Sequence, residues 1–229
     1  MIVDPPVLSI RVKFPRPARK VVEAFAGVPT GHAVDAMGGS GAIDHRIKPL
    51  EVSGKVMVGV ALTCNAGPAD NLAVFGALSA AKPGDILVVA TGGYAGTAVT
   101  GDLLLGMARN CGVAGFVTDG MVRDIVGILD VGIPVYCAGV TANSPARNGP
   151  GTVGEAIDLG GVRIESGDIL IGDRDGVVVV PRGKAPGILE GLAAVRKAES
   201  ALEAKVKGGL QIPDFVLEIL KSSRVRNID

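Results

Sequence analysis

Two aspartates and an arginine stand close enough in the chain to share one site: Asp102 and, with twenty residues between, the pair Arg123-Asp124. Two carboxylates suit a hard divalent cation such as Mg²⁺ or Mn²⁺, which keeps several waters and leaves positions for substrate oxygens. A neighbouring guanidinium adds a permanently charged donor fork for an oxygen on which negative charge develops. The stretch GDLLLGMARNCGVAGFVTDGMVRD indicates how the three would meet. Gly101-Asp102 opens an apolar run that stops at Gly112, which predicts a short helix with Asp102 as its N-cap and Gly112 just past its end. Unpaired N–H groups of the first turn would face outward and receive a small carboxylate or phosphate. Residues 113–118 read as a buried strand, and Asp119-Gly120 as the turn that brings Arg123 and Asp124 to the strand's carboxyl end, where ligands of α/β sheets gather. One helix and one strand thus account for the gap. An aspartate cap beside a surface Arg–Asp pair fits the same spacing without any chemistry, and that alternative stays open at this point.

Other polar residues carry less. Asp70 and Asn71 precede an apolar run of helical spacing over 71–81; they cap that helix, or Asn71 donates a hydrogen bond to a substrate. The loop TANSPARNGPG holds one cation, Arg147, which is solvated or meets a second substrate carboxylate. His32 and His45 have no second histidine near them and read as ordinary polar residues. Cys64, Cys111 and Cys137 are odd in number, show no metal spacing and fit reduced thiols better than a disulfide framework.

The elements that must position these groups follow from composition and pattern. With 48% hydrophobic residues, 34 glycines, 3% aromatics and no tryptophan in 229 residues, the core has to be Val, Ile, Leu and Ala packed around tight turns, which favours sheets with short connections. Lys plus Arg equal Asp plus Glu at 23 each, so no global field draws nucleic acid or an anionic membrane. No apolar run is long enough for a signal peptide or a membrane span, and a soluble cytoplasmic protein is expected. Strands are predicted over 54–64, 85–90, 113–118 and 133–138, with hairpins over 160–164 and 168–180. Helices are predicted over 21–25, over 30–37 with Thr30 as cap, over 71–81, over 184–206 as one long amphipathic helix, and over 214–221. Residues 1–19 read as a proline-interrupted arm lying against another surface, which a partner subunit could supply. The phrase GDIL occurs at Gly84 and Gly167, too short a match to mark a repeat.

The segment GDLLLGMARNCGVAGFVTDGMVRD resembles the metal-dependent class II pyruvate aldolases that cleave 4-hydroxy-4-methyl-2-oxoglutarate and 4-carboxy-4-hydroxy-2-oxoadipate, a family that also includes the RraA-type regulators of ribonuclease activity. AVDAMGGSGAIDHRIKPL, CNAGPADNLAVFGAL, PGDILVV, NGPG and GGVRIESGDILIGDRDGVVVVPR extend the resemblance over roughly residues 28 to 207. It implies an α/β fold with a swivelling-type β/β/α core, a single RraA-like domain with C-terminal helices. On that basis residues 1–19 form the arm, 20–207 the aldolase domain and 208–229 a C-terminal extension.

The resemblance also implies roles. Asp124 would bind Mg²⁺ or Mn²⁺ directly and Asp102 would hold metal-bound water. The pyruvyl carboxylate would meet backbone N–H groups of Leu103 and Leu104 beside Gly101. Arg123 would stabilise the enolate oxygen and orient the water that takes the C4 hydroxyl proton. The substrate would be a small keto acid, with oxaloacetate decarboxylated at the same site. Assembly would be a homo-oligomer, a trimer or dimer of trimers, with Glu199 the candidate acid supplied by a neighbouring subunit and Glu203 close to it. Regulators of the RraA branch typically have glycine where this chain has Asp102, so the intact pair points to catalysis and leaves a non-catalytic ribonuclease regulator as the alternative. A methyltransferase is disfavoured because no Gly-rich adenosyl-methionine loop follows the first strand. One departure stands out: many members carry an acidic residue where this chain has Gly127.

Overall fold

The computed structural model describes residues 6–51 and 56–228. The chain begins with β1 (Leu8–Ile10), α1 (Arg19–Glu23), α2 (Thr30–Ala36) and β2 (Lys48–Pro49). It continues through β3 (Met57–Asn65), α3 (Leu72–Leu78), β4 (Asp85–Ala90), β5 (Ala98–Thr100), α4 (Asp102–Asn110), β6 (Gly115–Thr118), β7 (Met121–Val122), α5 (Ile125–Val131), β8 (Val135–Cys137) and β9 (Gly139–Val140). It then adds β10 (Gly151–Val153), β11 (Ile157–Leu159), β12 (Val162–Ile164), β13 (Ile169–Gly172) and β14 (Val177–Val180), and ends in α6 (Ala185–Lys207) and α7 (Asp214–Leu220). Residues 54 and 55, at the start of the expected strand 54–64, lie outside the described residues.

β4 sits at the centre because all six of its residues are apolar enough, or well enough paired, to be buried on both faces. Leu87 and Val89 point with Leu62, Cys64 and Phe116 into a core that includes buried residues of α3, α4 and α5. Ile86, Val88 and Ala90 point the other way, with Val117 and Tyr136, into a core closed by β11, β12 and β14. β3, β4, β6 and β8 run parallel, and the large sheet has the order β1-β10-β3-β4-β6-β8-β2, with the β13–β14 hairpin attached to β3. Alternate residues of β13 and β14 turn to a third core with Phe25, Val28, Ala33, Ile188 and Leu192. Helices on one face and a second β layer on the other give the β/β/α arrangement.

Past the carboxyl ends of β4, β6 and β8 the chain does not go straight to helix. It re-forms as β5, β7 and β9, a separate parallel sheet of three short strands. Asp119 braces this passage: its carboxylate accepts from the Thr91 N–H at 2.6 Å, the Thr91 hydroxyl at 3.0 Å and the Gly93 N–H at 2.9 Å. The site is therefore displaced outward by one small sheet from where the strand over 113–118 would have put it.

Three expectations are corrected here. The N-terminal arm lies on its own chain: β1 pairs in parallel with β10, and Arg16 makes a two-pronged ion pair with Asp85, 2.8 Å at its longer contact. Thr30 does not cap α2. Pro29 holds that position, and the capping oxygens come from Asp173, which accepts from both the N–H and the hydroxyl of Thr30 at 2.8 Å. The long helix α6 buries its apolar stripe on its own chain only at its start, at Ala185, Ile188 and Leu192, and leaves Leu202 and Val206 exposed.

Candidate active site

The first residues after β5, β7 and β9 converge on one cleft of about 180 Å³, lined among others by Asn71, Gly101, Asp102, Arg123, Asp124 and Ser144. Asp102 is the first residue of α4; Gly101, in extended backbone, takes the N-cap position expected for Asp102. Consequently Asp102 reaches only the adjacent donor, its Oδ1 accepting from the Leu103 N–H at 2.7 Å. The Leu105 N–H closes the helix on the Gly101 carbonyl at 3.1 Å. The Leu104 N–H has no partner among the described residues. Of the two N–H groups expected to receive a carboxylate, one is free and the other is held by Asp102.

Arg123 and Asp124 follow β7 directly. Asp124 has φ +59°, ψ +47°, the left-handed region, and is the N-cap residue of α5. Such a conformation costs a non-glycine residue roughly 1–2 kcal/mol, least for Asp and Asn, and is a feature that clusters at functional sites. It brings the carboxylate back over the start of α4: a Cβ on Gly101 would lie 2.5 Å from Asp124 Oδ2. Arg123 Nε stands 3.2 Å from the same oxygen, and its Nη1 donates to Ser144 Oγ. On the far side of Asp102 is Gly127, where a Cβ would come 2.4 Å from Asp102 Oδ2 and 2.6 Å from its Cβ. Asp102 thus packs directly on the backbone of α5.

Among the described residues no three His, Cys, Asp or Glu side chains gather to hold a metal by themselves. Two carboxylates beside open cleft suit an ion that keeps most of its waters, as Mg²⁺ does, and not a closed zinc site. In this respect Asp102 and Asp124 fit a hydrated divalent cation.

Asn71 is 4% exposed and lines the cleft. Its Nδ2 donates to the Val99 carbonyl at 3.2 Å, and the atom without a partner is the acceptor Oδ1. Capping of α3 falls to Asp70, which accepts from the Leu72 N–H at 2.8 Å. Arg147 lines the cleft with its guanidinium 5.3 Å from the Phe75 ring centre. Glu199 is not in the cleft of its own chain; with Arg196, Ser200 and Glu203 it lines a separate hollow, where it contacts Nε2 of His32. His45 is exposed beside Asp44. Burial pushes the thiols of Cys64 and Cys137 up from their ordinary range, consistent with inert core residues, and Cys111 is half-buried and free. Ser144 and Phe75 had no signal in the sequence, and Asp119 read only as a turn residue: each acts through a contact formed when segments distant in sequence meet.

A family profile described as Aldolase/RraA matches residues 28–179. The chain is 37% identical over 198 residues to a protein of Halalkalibacterium halodurans named "Putative 4-hydroxy-4-methyl-2-oxoglutarate aldolase", covering 86% of this chain and 91% of that one. It is similar to a solved structure from Streptomyces coelicolor, described as an unusual member of the RNase ES inhibitor RraA protein family, with a TM-score of 0.74 and 28% identity over 83% of this chain and all of that one. A structure from Geobacillus kaustophilus, described as an S-adenosylmethionine: 2-dimethylmenaquinone methyltransferase, shares 30% identity with a TM-score of 0.61 over 67% of this chain and 95% of that one.

Proposed function

Because the chain belongs to the Aldolase/RraA family, we propose that it is a lyase, a divalent-metal-dependent pyruvate aldolase. Its reaction is retro-aldol cleavage of 4-hydroxy-2-oxo acids such as 4-hydroxy-4-methyl-2-oxoglutarate and 4-carboxy-4-hydroxy-2-oxoadipate, with decarboxylation of oxaloacetate at the same site. The observation that carries this is the meeting of Asp102, Arg123 and Asp124 in one cleft at a helix start that keeps an unpaired N–H. A regulator acting through its surface has no need of a strained aspartate folded back over Gly101.

Asp124 would hold Mg²⁺ or Mn²⁺ directly and Asp102 through an intervening water; the ion supplies Lewis-acid polarisation of the substrate's 2-oxo group. The Leu104 N–H receives the pyruvyl carboxylate, joined by the Leu103 N–H if Asp102 turns away from it. In the cleavage step the C4 hydroxyl loses its proton to water oriented by Arg123, the C4–O bond becomes a carbonyl, and the C3–C4 bond breaks with its electron pair passing to the enolate of pyruvate. Arg123 is fixed for that moment by Ser144 and Asp124, so its guanidinium need not reorganise as negative charge grows on the enolate oxygen. Protonation at C3 then releases pyruvate. Loss of such a donor, as in Arg123→Met, should lower kcat by about a hundredfold or more. The active form we propose is a cytoplasmic homo-oligomer, a trimer or dimer of trimers, that places Glu199 near a neighbour's cleft. Among the described residues no helix is long and apolar enough to cross a membrane.

The test is pyruvate release by metal-stripped protein, with and without Mg²⁺ or Mn²⁺, from 4-hydroxy-4-methyl-2-oxoglutarate and from oxaloacetate, with Asp124→Ala as control. Metal-dependent turnover lost in Asp124→Ala is expected. A folded oligomer that turns over neither substrate would reject the aldolase and leave a ribonuclease regulator as the reading to pursue.

A further inference from the structure

Arg123 and Asp124 stand in the cleft only as long as β7 keeps its register, and β7 by itself has little to keep it with. The strand has two residues, its neighbours β5 and β9 have three and two, and its pairing to β5 shifts between Ala98 and Thr100. A slip by one residue along a strand exchanges its two faces and moves every side chain that follows. Burial resists such a slip weakly here, because the residues that would exchange, Met121 and Val122, are both apolar. Two backbone bonds carry the site itself: the Arg123 N–H donates to the Thr100 carbonyl at 3.1 Å, next to Gly101-Asp102, and the Thr141 N–H donates to the Val122 carbonyl at 3.0 Å. The register of the small sheet therefore has to be fixed from outside it.

The turn immediately before β7, Asp119-Gly120, is where that happens. Asp119 takes its three donors from Thr91 and Gly93, the residues just past the end of β4, and the positive φ of Gly92 and Gly93, +70° and +69°, turns the Gly93 N–H onto the carboxylate. The Thr91 hydroxyl that donates to Asp119 also accepts from the Tyr94 N–H at 3.2 Å. Thr118, the last residue of β6, accepts from the Gly120 N–H at 3.0 Å through its hydroxyl, and the Gly120 carbonyl accepts from the Ala138 N–H, just past β8, at 3.0 Å. One two-residue turn thus ties the ends of three main strands. It sits so close to Thr91 that a Cβ on Gly120 would lie 2.7 Å from its Cγ2 and 2.8 Å from its Oγ1. Thr91 and Thr118 are buried, and Asp119 does not line the cleft. Hydrogen bonds onto a carboxylate are stronger than those between neutral groups, so Asp119 contributes most to this knot.

We propose that Asp119 is a positioning residue for the reaction: from outside the cleft, its carboxylate sets the register of β7 and with it the place of Arg123 and Asp124 relative to Asp102. This rests on the aldolase reading for its turnover arm but not for its structural arm. A misplacement of about 1 Å can cost about a hundredfold in rate. Because the effect of Asp119 on turnover passes through Arg123 and Asp124, it shrinks when Arg123 is already gone. A residue that merely held the fold together would act equally with or without Arg123.

The structural arm is hydrogen exchange of metal-free protein, read by mass spectrometry on peptides spanning 119–126 and 139–143, which contain the paired amides of Arg123 and Thr141. Asp119→Ala should lower their protection by about tenfold or more, the loss expected when hydrogen bonds to a charged group are removed, while peptides of β4 and β6 keep theirs. In the turnover arm Asp119→Ala should lower kcat by about a hundredfold. Asp119→Asn should lower it less, since its Oδ1 still accepts from Thr91 while its amide opposes the Gly93 N–H. Combined with Arg123→Met, Asp119→Ala should produce a loss at least about tenfold smaller than the product of the two single losses. Local loss of protection in Asp119→Ala, with a wild type that cleaves no substrate, keeps the role of Asp119 in placing Arg123 and Asp124 and rejects the aldolase. Turnover with losses that multiply in full, or with kcat unaltered in Asp119→Ala, overturns the proposal and leaves the aldolase standing. Unaltered protection at Arg123 and Thr141 overturns it whatever the turnover. Should Asp119→Ala fail to fold, Asp119→Asn and Thr91→Val, which removes one of the three donors, carry the comparison.

Discussion

Asp124 holds two properties in tension. Its left-handed backbone costs stability, yet that same conformation brings its carboxylate over Gly101. Asp124→Gly removes the carboxylate and the strain together, so metal-dependent turnover should vanish while stability holds or rises by up to about 1 kcal/mol, read from urea unfolding without added metal. A clear loss of stability would mean that the backbone there is not strained. Ser144 is the complementary case: its hydroxyl accepts from the Arg123 guanidinium at the edge of the cleft. It is a positioning residue, and removing a hydrogen bond to a charged group costs about 1–2 kcal/mol where orientation matters. Ser144→Ala should therefore lower kcat roughly tenfold with KM little changed, and Ser144→Thr, which keeps the hydroxyl, should recover most of it. Equal changes in KM and kcat/KM, with kcat intact, would place Ser144 in substrate binding instead.

At the scale of elements, the site depends on how closely α4 and α5 approach. Gly127 is the contact: an added Cβ would meet not only Asp102 Oδ2, which could swing away, but Asp102 Cβ at 2.6 Å, which cannot. Gly127→Ala must push the helices apart, at a cost of about 1–3 kcal/mol for overpacking. It should also weaken Mg²⁺ binding in a calorimetric titration, because Asp102 moves with α4. Unchanged stability and metal affinity would show that the helices yield without disturbing the carboxylate. The departure from the family pattern at this position thus has a physical partner in the placement of Asp102. The pairing of Asp102 with Arg123-Asp124 was legible in the sequence because one helix and one buried strand span the gap, and those elements have strong signals: ILVVA and GFV are continuous apolar runs, and the helix is bounded by Asp102 and Gly112. What was not legible are β5, β7 and β9, two or three residues each, too short for alternation to show. They move the site beyond the ends of the main strands. Nor could sequence reveal that Asp173 caps α2 across 143 positions, or that Asn71 Nδ2 donates to the Val99 carbonyl. Such contacts depend on tertiary approach, and local propensity carries no trace of them.

On the scale of the whole molecule, much apolar surface is left without a partner. Leu103 and Val126, each 77% exposed, and the exposed Met107, Ile125 and Leu129 lie on α4 and α5, the helices that carry Asp102 and follow Asp124, and Leu103 and Met107 also line the cleft. Beyond Leu192 no residue of α6 is buried, and α7 has no buried residue while presenting Phe215, Leu217, Ile219 and Leu220. Exposed apolar residues scattered singly need no explanation, but two grouped surfaces on one small domain suit association with further copies of the chain. In the proposed oligomer the rim of one cleft is covered by a neighbour, and Glu199 on the projecting part of α6 is available to that neighbour's site. Glu199 also contacts His32 in its own chain, so its two possible duties can be separated by mixing subunits. Asp124→Ala and Glu199→Ala oligomers should each have low activity alone. If Glu199 serves a neighbour, dissociating and reassembling the two together creates clefts that combine an intact Asp124 from one subunit with an intact Glu199 from another, and activity returns without any wild-type chain. If Glu199 acts only within its own chain, every cleft in the mixture retains one defect and activity stays at the level of the parents. The same preparation carrying Val126→Glu should sediment as smaller species and lose the recovery, because a charge placed on α5 opposes the contact that brings the two residues together.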